Sequence, residues 1–384
     1  MSATPSPWRV YWTAFIGLFF DYYDLYLFVY LDKVLAGHFG LSAEQSNWLQ
    51  FTGLAGVGAG ALAFGYLADR FGRGRLLLVV FGVYGIGIAA LSAAWDYPSL
   101  LAARLVASLA LGAEWGISHR YLAEQVRGPA RYTFSALLQF SILGGLLAAL
   151  ASRYALPLVG WRMLFVLSLV PVGVLACWRW TALSEEAAST EGNEAPGGLG
   201  AALRANGGTF LLCLALASLT IASGTMNVFF AKELPQSPWY TVAFWGLVAP
   251  GMLGGAWLVR RFGPGRALCG YAVALGMLAL GCRASGAPER HLVFALGLPL
   301  LNGIPFGLMG ALFNEVFGSY RTMLAGAAYN LGRIGAGAAP WLLTAIAAHH
   351  GDNYLVFTAG LAVGVLGLGV AVMRVKRSGG RDEG

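Results

Sequence analysis

The segment GYLADRFGRGR, Gly65 to Arg75, is a short run of charged residues and glycines between two long apolar stretches of a 384-residue chain. A weaker copy, LVRRFGPGR, runs from Leu258 to Arg266, with Arg260 in place of the aspartate and Pro264 in place of an arginine. Because the same kind of loop recurs at a matching place in the second half of the chain, the pair indicates an internal repeat.

The composition around these loops is that of a membrane protein. Hydrophobic residues make up 58% of the chain and charged residues only 11%, whereas roughly 25% charged is usual in soluble proteins. A transmembrane helix needs roughly 20 apolar residues and satisfies its own backbone hydrogen bonds in lipid. We therefore predict an all-α membrane protein with twelve transmembrane helices, at about 10–32, 46–68, 76–95, 98–122, 133–157, 162–183, 208–231, 239–260, 267–284, 291–314, 323–348 and 353–373.

The distribution of charge predicts orientation and domains. Lys and Arg concentrate in one set of alternate loops, which accounts for the net charge of +7 and places both termini in the cytoplasm of a multi-pass plasma (inner) membrane protein. The hydrophilic stretch 184–207 reads as a cytoplasmic linker. It divides the chain into a six-helix bundle over 1–183 and a second over 208–384, which ends in a short basic tail.

The Gly65 to Arg75 motif resembles the loop 2–3 signature of the major facilitator superfamily, and the degenerate copy, the linker and the 6+6 arrangement extend the resemblance over essentially the whole chain. Arg104 with Gly112 in the fourth span, and GWRMLF from Gly160 to Phe165, are further matches. The resemblance implies the major facilitator fold and a secondary transporter without a cofactor, in which two bundles rock around a central site.

The loop motif also has a physical role of its own. Gly65 and Gly72 allow close helix approach and a tight turn, and Asp69 can accept hydrogen bonds from Arg73 or from an exposed helix N-terminus. We expect a cytoplasmic latch that holds the bundles together in one state, made of Gly65, Asp69, Arg70, Gly72, Arg73, Glu124 and Arg131. The alternative is that these charges only fix the topology and solvate a loop.

Three acids fall within predicted spans and are the candidates for proton coupling: Asp21 and Asp24 in the first span, and Glu114 in the fourth. A charged acid at the centre of a span costs roughly 2.5–3.5 kcal/mol on insertion scales, so each should face a polar cavity, be paired or be protonated. DxxD with GAEWG resembles the aromatic-acid, sialic-acid and metabolite:proton symporter branches of the superfamily. Buried structural hydrogen bonds are the alternative role for these acids.

Arg333, near the middle of the eleventh span, is the candidate anchor for an anionic substrate, because a guanidinium there should meet a carboxylate. A structural ion pair with an acid of the first or fourth span is equally compatible with the sequence. Further polar and aromatic side chains are predicted to bind substrate, although a histidine near a helix end is often merely interfacial. They are Tyr22, Tyr26, His119, Gln139, Asn227, Asn302 and Asn330.

The sequence thus predicts a proton-coupled symporter of a small organic anion, most simply a carboxylate, acting as a monomer in the lipid bilayer. An efflux antiporter, a uniporter for a neutral or cationic solute, and a non-transporting sensor remain alternatives. Catalytic motifs, metal clusters and basic patches with stacking aromatics do not occur in the sequence, so an enzyme, a metal site and nucleic-acid binding are not expected.

Overall fold

The computed structural model describes residues 7–126, 128, 130–183, 198–233, 238–285, 290–317, 320–336 and 353–379. Nearly all of them lie in helices, which confirms the all-α fold class. The α-helices are α1 Pro7–Tyr30, α2 Asp32–Phe39, α3 Ala43–Phe71, α4 Arg73–Ala93, α5 Tyr97–Gln125, α6 Ala130–Gln139, α7 Gly144–Leu150, α8 Leu156–Leu183, α9 Gly198–Glu233, α10 Pro238–Phe262, α11 Pro264–Ser285, α12 Arg290–Val316, α13 Arg321–Ala336 and α14 Asn353–Gly379.

Nine stretches of the described ranges are long and apolar enough to cross a membrane, or ten if α1 and α2, which meet at a bend of 56°, form one span. One of the nine, Ala130–Val174, is 45 residues long, about twice the length that a single crossing needs. These spans are consistent with the twelve that the sequence predicts. The second half of the predicted eleventh span lies outside the described residues.

The fifth predicted span is less regular than its apolar pattern suggests. It consists of α6, a 3-10 turn Phe140–Leu143, α7 and a π-helical turn Ala151–Ala155. Gly144 lies so close to α1 that an added Cβ would be 2.0 Å from the carbonyl oxygen of Phe19. Hydropathy indicates only that a segment can be buried in lipid. The apolar run therefore could not predict this break in the helix. Likewise, α9 begins at Gly198, inside the segment predicted as linker.

The chain divides into two compact units, each described here by itself. The first comprises Met1–Val126, Phe140–Gly207 and Val316–Asn330, and the second comprises Arg127–Gln139, Gly208–Glu315 and Leu331–Gly384. The first unit thus contains α1 to α5, α7, α8 and the N-terminal part of α13. The second contains α6, most of α9, α10 to α12, the C-terminal part of α13 and α14.

Glycines set the helix spacing in the first unit. A Cβ added to Gly60 of α3 would be 1.8 Å from the carbonyl oxygen of Leu109, and one added to Gly112 of α5 would be 1.9 Å from that of Val57. The backbones of α3 and α5 are therefore in direct contact, as is common where small residues line helix interfaces in membranes. Large buried side chains, among them Phe28, Tyr84 and Phe165, fill the rest of this core.

The second unit uses the same device. α10 and α12 approach through Gly251 and Gly303, where added Cβ atoms would lie 2.0 Å and 2.3 Å from carbonyl oxygens of the facing helix. α11 packs against α14 through Gly265, at which an added Cβ would meet the side chain of Met373 at 2.3 Å.

Candidate functional site

Asp24 of α1 lies deep in the first unit, with 1% of its surface exposed. The hydroxyl of Tyr84, from α4, donates a hydrogen bond to its Oδ2. The same hydroxyl is 3.4 Å from the carbonyl oxygen of Phe20, one turn earlier on α1. Oδ1 makes no hydrogen bond of normal geometry among the described residues, although the hydroxyl of Ser168, from α8, also faces the carboxyl group. The carboxyl group is therefore shielded from solvent but only partly satisfied by hydrogen bonds.

Arg104 of α5 is the positively charged residue that interacts with Asp24. Its side chain is also buried, and it interacts electrostatically with Asp24. The guanidinium carbon lies 3.8 Å from the centre of the Phe28 ring, a cation–π geometry that stabilises a desolvated cation. On its other side Arg104 packs on Gly53, where an added Cβ would be 2.7 Å from Nε. The sequence singled out Arg104 as matching the family but left its role open.

Asp21 and Glu114, the other two candidate proton sites, are also buried. Oε1 of Glu114 accepts a hydrogen bond of 2.9 Å from the hydroxyl of Ser118, one turn along α5. Asp24 is therefore the candidate acid whose described contacts combine a tyrosine hydroxyl with an arginine.

An aromatic cluster in the first unit joins three of the predicted substrate-binding residues. Trp115 and Tyr329 stack in parallel, with ring centroids 3.8 Å apart and planes at 6°, and the His119 ring lies 4.5 Å from Trp115. The Tyr22 hydroxyl is 3.3 Å from that of Tyr329, and Tyr22 stacks on Tyr26 at 6.4 Å. The sequence missed Trp115 and Tyr329, because nothing distinguishes a stacking tryptophan or tyrosine from one facing lipid.

Asn330, next to Tyr329, is fully buried and donates a 2.9 Å hydrogen bond from Nδ2 to the carbonyl oxygen of Gly112. Its Oδ1 has no hydrogen-bond partner among the described residues. A ligand with a hydrogen-bond donor could satisfy that oxygen.

Two residues with side-chain amides that were predicted to bind substrate form hydrogen bonds within the second unit. Gln139 donates from Nε2 to the carbonyl oxygen of Phe306 at 3.2 Å. Asn302 accepts bonds of 2.8 Å from the hydroxyls of Ser223 and Tyr271, and its Nδ2 donates to the carbonyl oxygen of Ser223 at 3.0 Å. Its described hydrogen bonds thus tie α9, α11 and α12 together.

Arg333 lies on α13, in the part assigned to the second unit, and is half-buried. The side chain of Asn227 lies outside what the structure describes. The roles of Arg333 and Asn227 in binding substrate stay predictions.

Asp69, at the end of α3, lies against the start of α13. Its carboxylate oxygens accept hydrogen bonds from the backbone N–H groups of Thr322 at 3.3 Å and Met323 at 2.9 Å. These are among the N–H groups that a helix leaves unsatisfied at its N-terminus, where the helix dipole also favours a negative charge. Gly65, one turn earlier, allows the approach, since a Cβ there would be 2.8 Å from the Met323 Cα.

The other residues of the predicted latch have varied surroundings. Arg70 is exposed, with its guanidinium 3.4 Å from the Tyr66 hydroxyl. Gly72 has φ 93° between α3 and α4, a conformation that favours glycine. The side chain of Arg73 lies outside the described residues.

Glu124 and Arg131 bind different partners. Glu124 pairs with Arg120 of its own helix at 3.0 Å, whereas Arg131 pairs with Glu315 of α12 at 2.9 Å. Glu315 also accepts a hydrogen bond from the hydroxyl of Tyr132. Glu315 did not appear in the predicted latch, although it follows the tenth span as Glu124 follows the fourth.

Comparisons with known proteins identify the family to which this chain belongs. Residues 14–340 match the Major Facilitator Superfamily model. The chain is 26% identical over 361 residues to the cis,cis-muconate transport protein of Acinetobacter baylyi, which covers 87% of this chain and 86% of that protein. It is 31% identical over 161 residues to the niacin transporter of the same organism, a match that covers 42% of this chain and only 37% of that protein.

The fold agrees with a solved structure of a proton:xylose symporter bound to 6-bromo-6-deoxy-D-glucose. The TM-score is 0.68, with 17% identity and 94% of each chain covered. The chain therefore belongs to the Major Facilitator Superfamily, and the prediction that it is a transporter and not an enzyme is confirmed.

Proposed function

We propose that the protein is a secondary active transporter that couples the entry of a proton to the uptake of a small organic anion, a carboxylate, by alternating access. The observation that carries this proposal is the burial of Asp24 between Tyr84 and Arg104. Burial makes such a carboxyl group costly to ionise, whereas the Arg104 charge and the Tyr84 hydroxyl favour the ionised form, so the opposing effects suit a group that takes up and releases a proton.

The proposed substrate class is supported by polar and aromatic side chains and by the names of relatives. Tyr22, Trp115 and Tyr329 form a buried aromatic cluster in the first unit. Arg333 is the proposed anchor for the carboxylate. Relatives named for niacin and cis,cis-muconate transport support a small unsaturated acid, because both compounds are flat carboxylates.

The conformational cycle in this proposal uses Asp69 as the latch. Its bonds to the N-terminus of α13 favour one state, and their loss accompanies the other. We further propose that both termini are cytoplasmic, that the membrane is the plasma membrane and that the transporter acts as a monomer.

The experiment is uptake of radiolabelled nicotinate and cis,cis-muconate by proteoliposomes, with and without an inwardly directed proton gradient. Nicotinamide, the uncharged counterpart of nicotinate, is the matched control. We expect at least one carboxylate to accumulate above its external concentration only when the gradient is present. Equal accumulation with and without the gradient would refute the proposed proton coupling. Preferential uptake of nicotinamide would refute the proposed anionic substrate.

A further inference from the structure

Tyr84 can donate its one hydroxyl proton to either of two acceptors on α1. The hydroxyl is hydrogen bonded to Oδ2 of Asp24 and lies 3.4 Å from the carbonyl oxygen of Phe20. A phenol has a single proton to donate and an oxygen that can accept. Because Tyr84 is buried, its described acceptors are these two groups of α1.

Two hydroxyl groups and a cation face Asp24: Tyr84, Ser168 and Arg104. Arg104 of α5 contributes a positive charge but packs on Phe28 and Gly53. From α8, the hydroxyl of Ser168 is a second hydrogen-bonding group for Asp24, and it also has an alternative acceptor, the carbonyl oxygen of Phe165 at 2.8 Å. α7, which also packs against α1, has the sequence GGLLAAL and contributes no titratable group.

Among the further titratable groups of α1, Asp21 and Tyr23 are relevant to Asp24. Asp21 precedes Asp24 by one turn. Tyr23, the preceding residue, directs its hydroxyl to the carbonyl oxygen of Leu164 at 3.4 Å. Tyr23 is therefore a buried tyrosine that lies in the field of Asp24 but donates its hydrogen bond elsewhere.

We propose that Tyr84 is a positioning residue that follows the protonation state of Asp24 and thereby sets the pH range in which transport is coupled. When Asp24 is ionised, Tyr84 donates to Oδ2. When Asp24 has taken up the transported proton, its carboxyl O–H donates to the Tyr84 oxygen, and the phenol proton turns to the carbonyl oxygen of Phe20. The phenol keeps its own proton throughout, so the proton that moves is the one carried by Asp24.

This inference rests on the proposed proton coupling, and its test is the substitution Tyr84→Phe. The change removes a donor that favours the ionised carboxylate, and hydrogen bonds to charged groups are among the stronger ones. We expect the midpoint of carboxylate uptake against pH to move to higher pH by about one unit, a roughly tenfold change in proton affinity. Tyr23→Phe, the matched control, should leave the midpoint in place.

A double-mutant cycle separates positioning from a structural role. In an Asp24→Asn background, counterflow of nicotinate should have the same pH dependence with Tyr84 or with Phe at position 84. A shift that persists without the carboxylate would overturn the proposal. An unchanged pH midpoint of uptake in Tyr84→Phe would also overturn the proposal, provided that native uptake depends on pH.

Should Tyr84→Phe fail to fold, 3,5-difluorotyrosine incorporated at position 84 preserves the shape and strengthens the donor. The midpoint should then move to lower pH, and an unchanged midpoint would again overturn the role of Tyr84. Native uptake that ignores pH altogether is a different result, which refutes the proposed proton symport itself.

Discussion

Asp24 and Arg104 illustrate how single charged residues are held inside an apolar helix bundle. Their charges interact electrostatically, and a buried charge that is left without compensation is strongly destabilising. Here the acid can be neutralised by a proton, whereas the arginine cannot readily lose one. The cation is instead supported by the Phe28 ring and by the space that Gly53 leaves. The pair therefore tolerates a change of charge at one member only.

Arg333→Gln tests the proposed substrate anchor at the same scale. Without the guanidinium, a carboxylate loses a charge-assisted partner worth about 1.5–3 kcal/mol, so the Kd for nicotinate should rise at least tenfold. Binding of nicotinamide, if detectable, should hardly change. Ligand-dependent thermal shift on the purified protein measures both.

Arg283→Gln is the control for that measurement, because Arg283 is exposed near the end of α11. An Arg333→Gln protein that expresses well and binds nicotinate like the native chain contradicts the anchor. Loss of folded protein would instead favour a structural ion pair at this position.

The sequence could predict the chemistry of single residues but not their partners. Asp24 stood out because an acid in an apolar run is expensive. Its contacts with Tyr84 and Arg104 depend on how α4 and α5 are rotated about their axes. In long, uniformly apolar helices no polar face reveals that rotation, and Trp115 and Tyr329 went unnoticed for the same reason.

At the scale of helices, backbone contact between α3 and α5 makes a direct prediction for Gly112→Ala. The added methyl group would lie 1.9 Å from the Val57 carbonyl oxygen, so the helices must separate. We expect a loss of about 1–3 kcal/mol, the usual cost of overpacking, seen as a lower unfolding temperature in detergent.

Gly82→Ala in α4 is the matched control for that substitution, since its added Cβ meets nothing within 4 Å. Stability there should be unchanged or slightly raised, because alanine favours a helix over glycine. Equal unfolding temperatures for the two variants would show that α3 and α5 are not in backbone contact.

The helix-terminal contact of Asp69 predicts the effect of Asp69→Asn. Asparagine keeps one acceptor oxygen but loses the charge that favours the N-terminus of α13. In a variant without the native cysteines, the Ala325→Cys thiol on α13 should react severalfold faster with a maleimide once Asp69 is replaced, since Ala325 is fully buried in this structure.

Glu44→Gln is the control for the labelling measurement, because it removes an exposed acid from the first turn of the same helix α3. Its labelling rate should equal that of the native background. Were Asp69→Asn to leave the rate unchanged as well, the Asp69 contact would not hold α13.

At the scale of the whole molecule, the repeated Gly65 to Arg75 loop was sufficient to predict the family, and the hydropathy was sufficient to predict the all-α fold. Both features can be read directly from the sequence. The repeat did not predict how the two loops differ in their contacts. Asp69 binds the backbone at the start of α13, whereas Arg260 of the degenerate copy donates to the Thr133 hydroxyl at 3.3 Å. A cation cannot accept from a helix N-terminus, so the second loop requires a different kind of contact.

Proton coupling is a property of the complete transport cycle and makes the central prediction. If Asp24 carries the proton, Asp24→Asn removes the charge at nearly constant shape, so exchange of bound substrate can continue while coupling is lost. Linkage is reciprocal, so the dependence of substrate affinity on pH should flatten in the same variant.

The most direct measurement compares nicotinate accumulation driven by a proton gradient with gradient-free counterflow, in the same proteoliposomes, for the native protein and for Asp24→Asn, Asp21→Asn and Glu114→Gln. We expect Asp24→Asn to abolish accumulation while counterflow persists. An Asp24→Asn protein that still concentrates nicotinate under the gradient would contradict the assignment and place the proton site at Asp21 or Glu114.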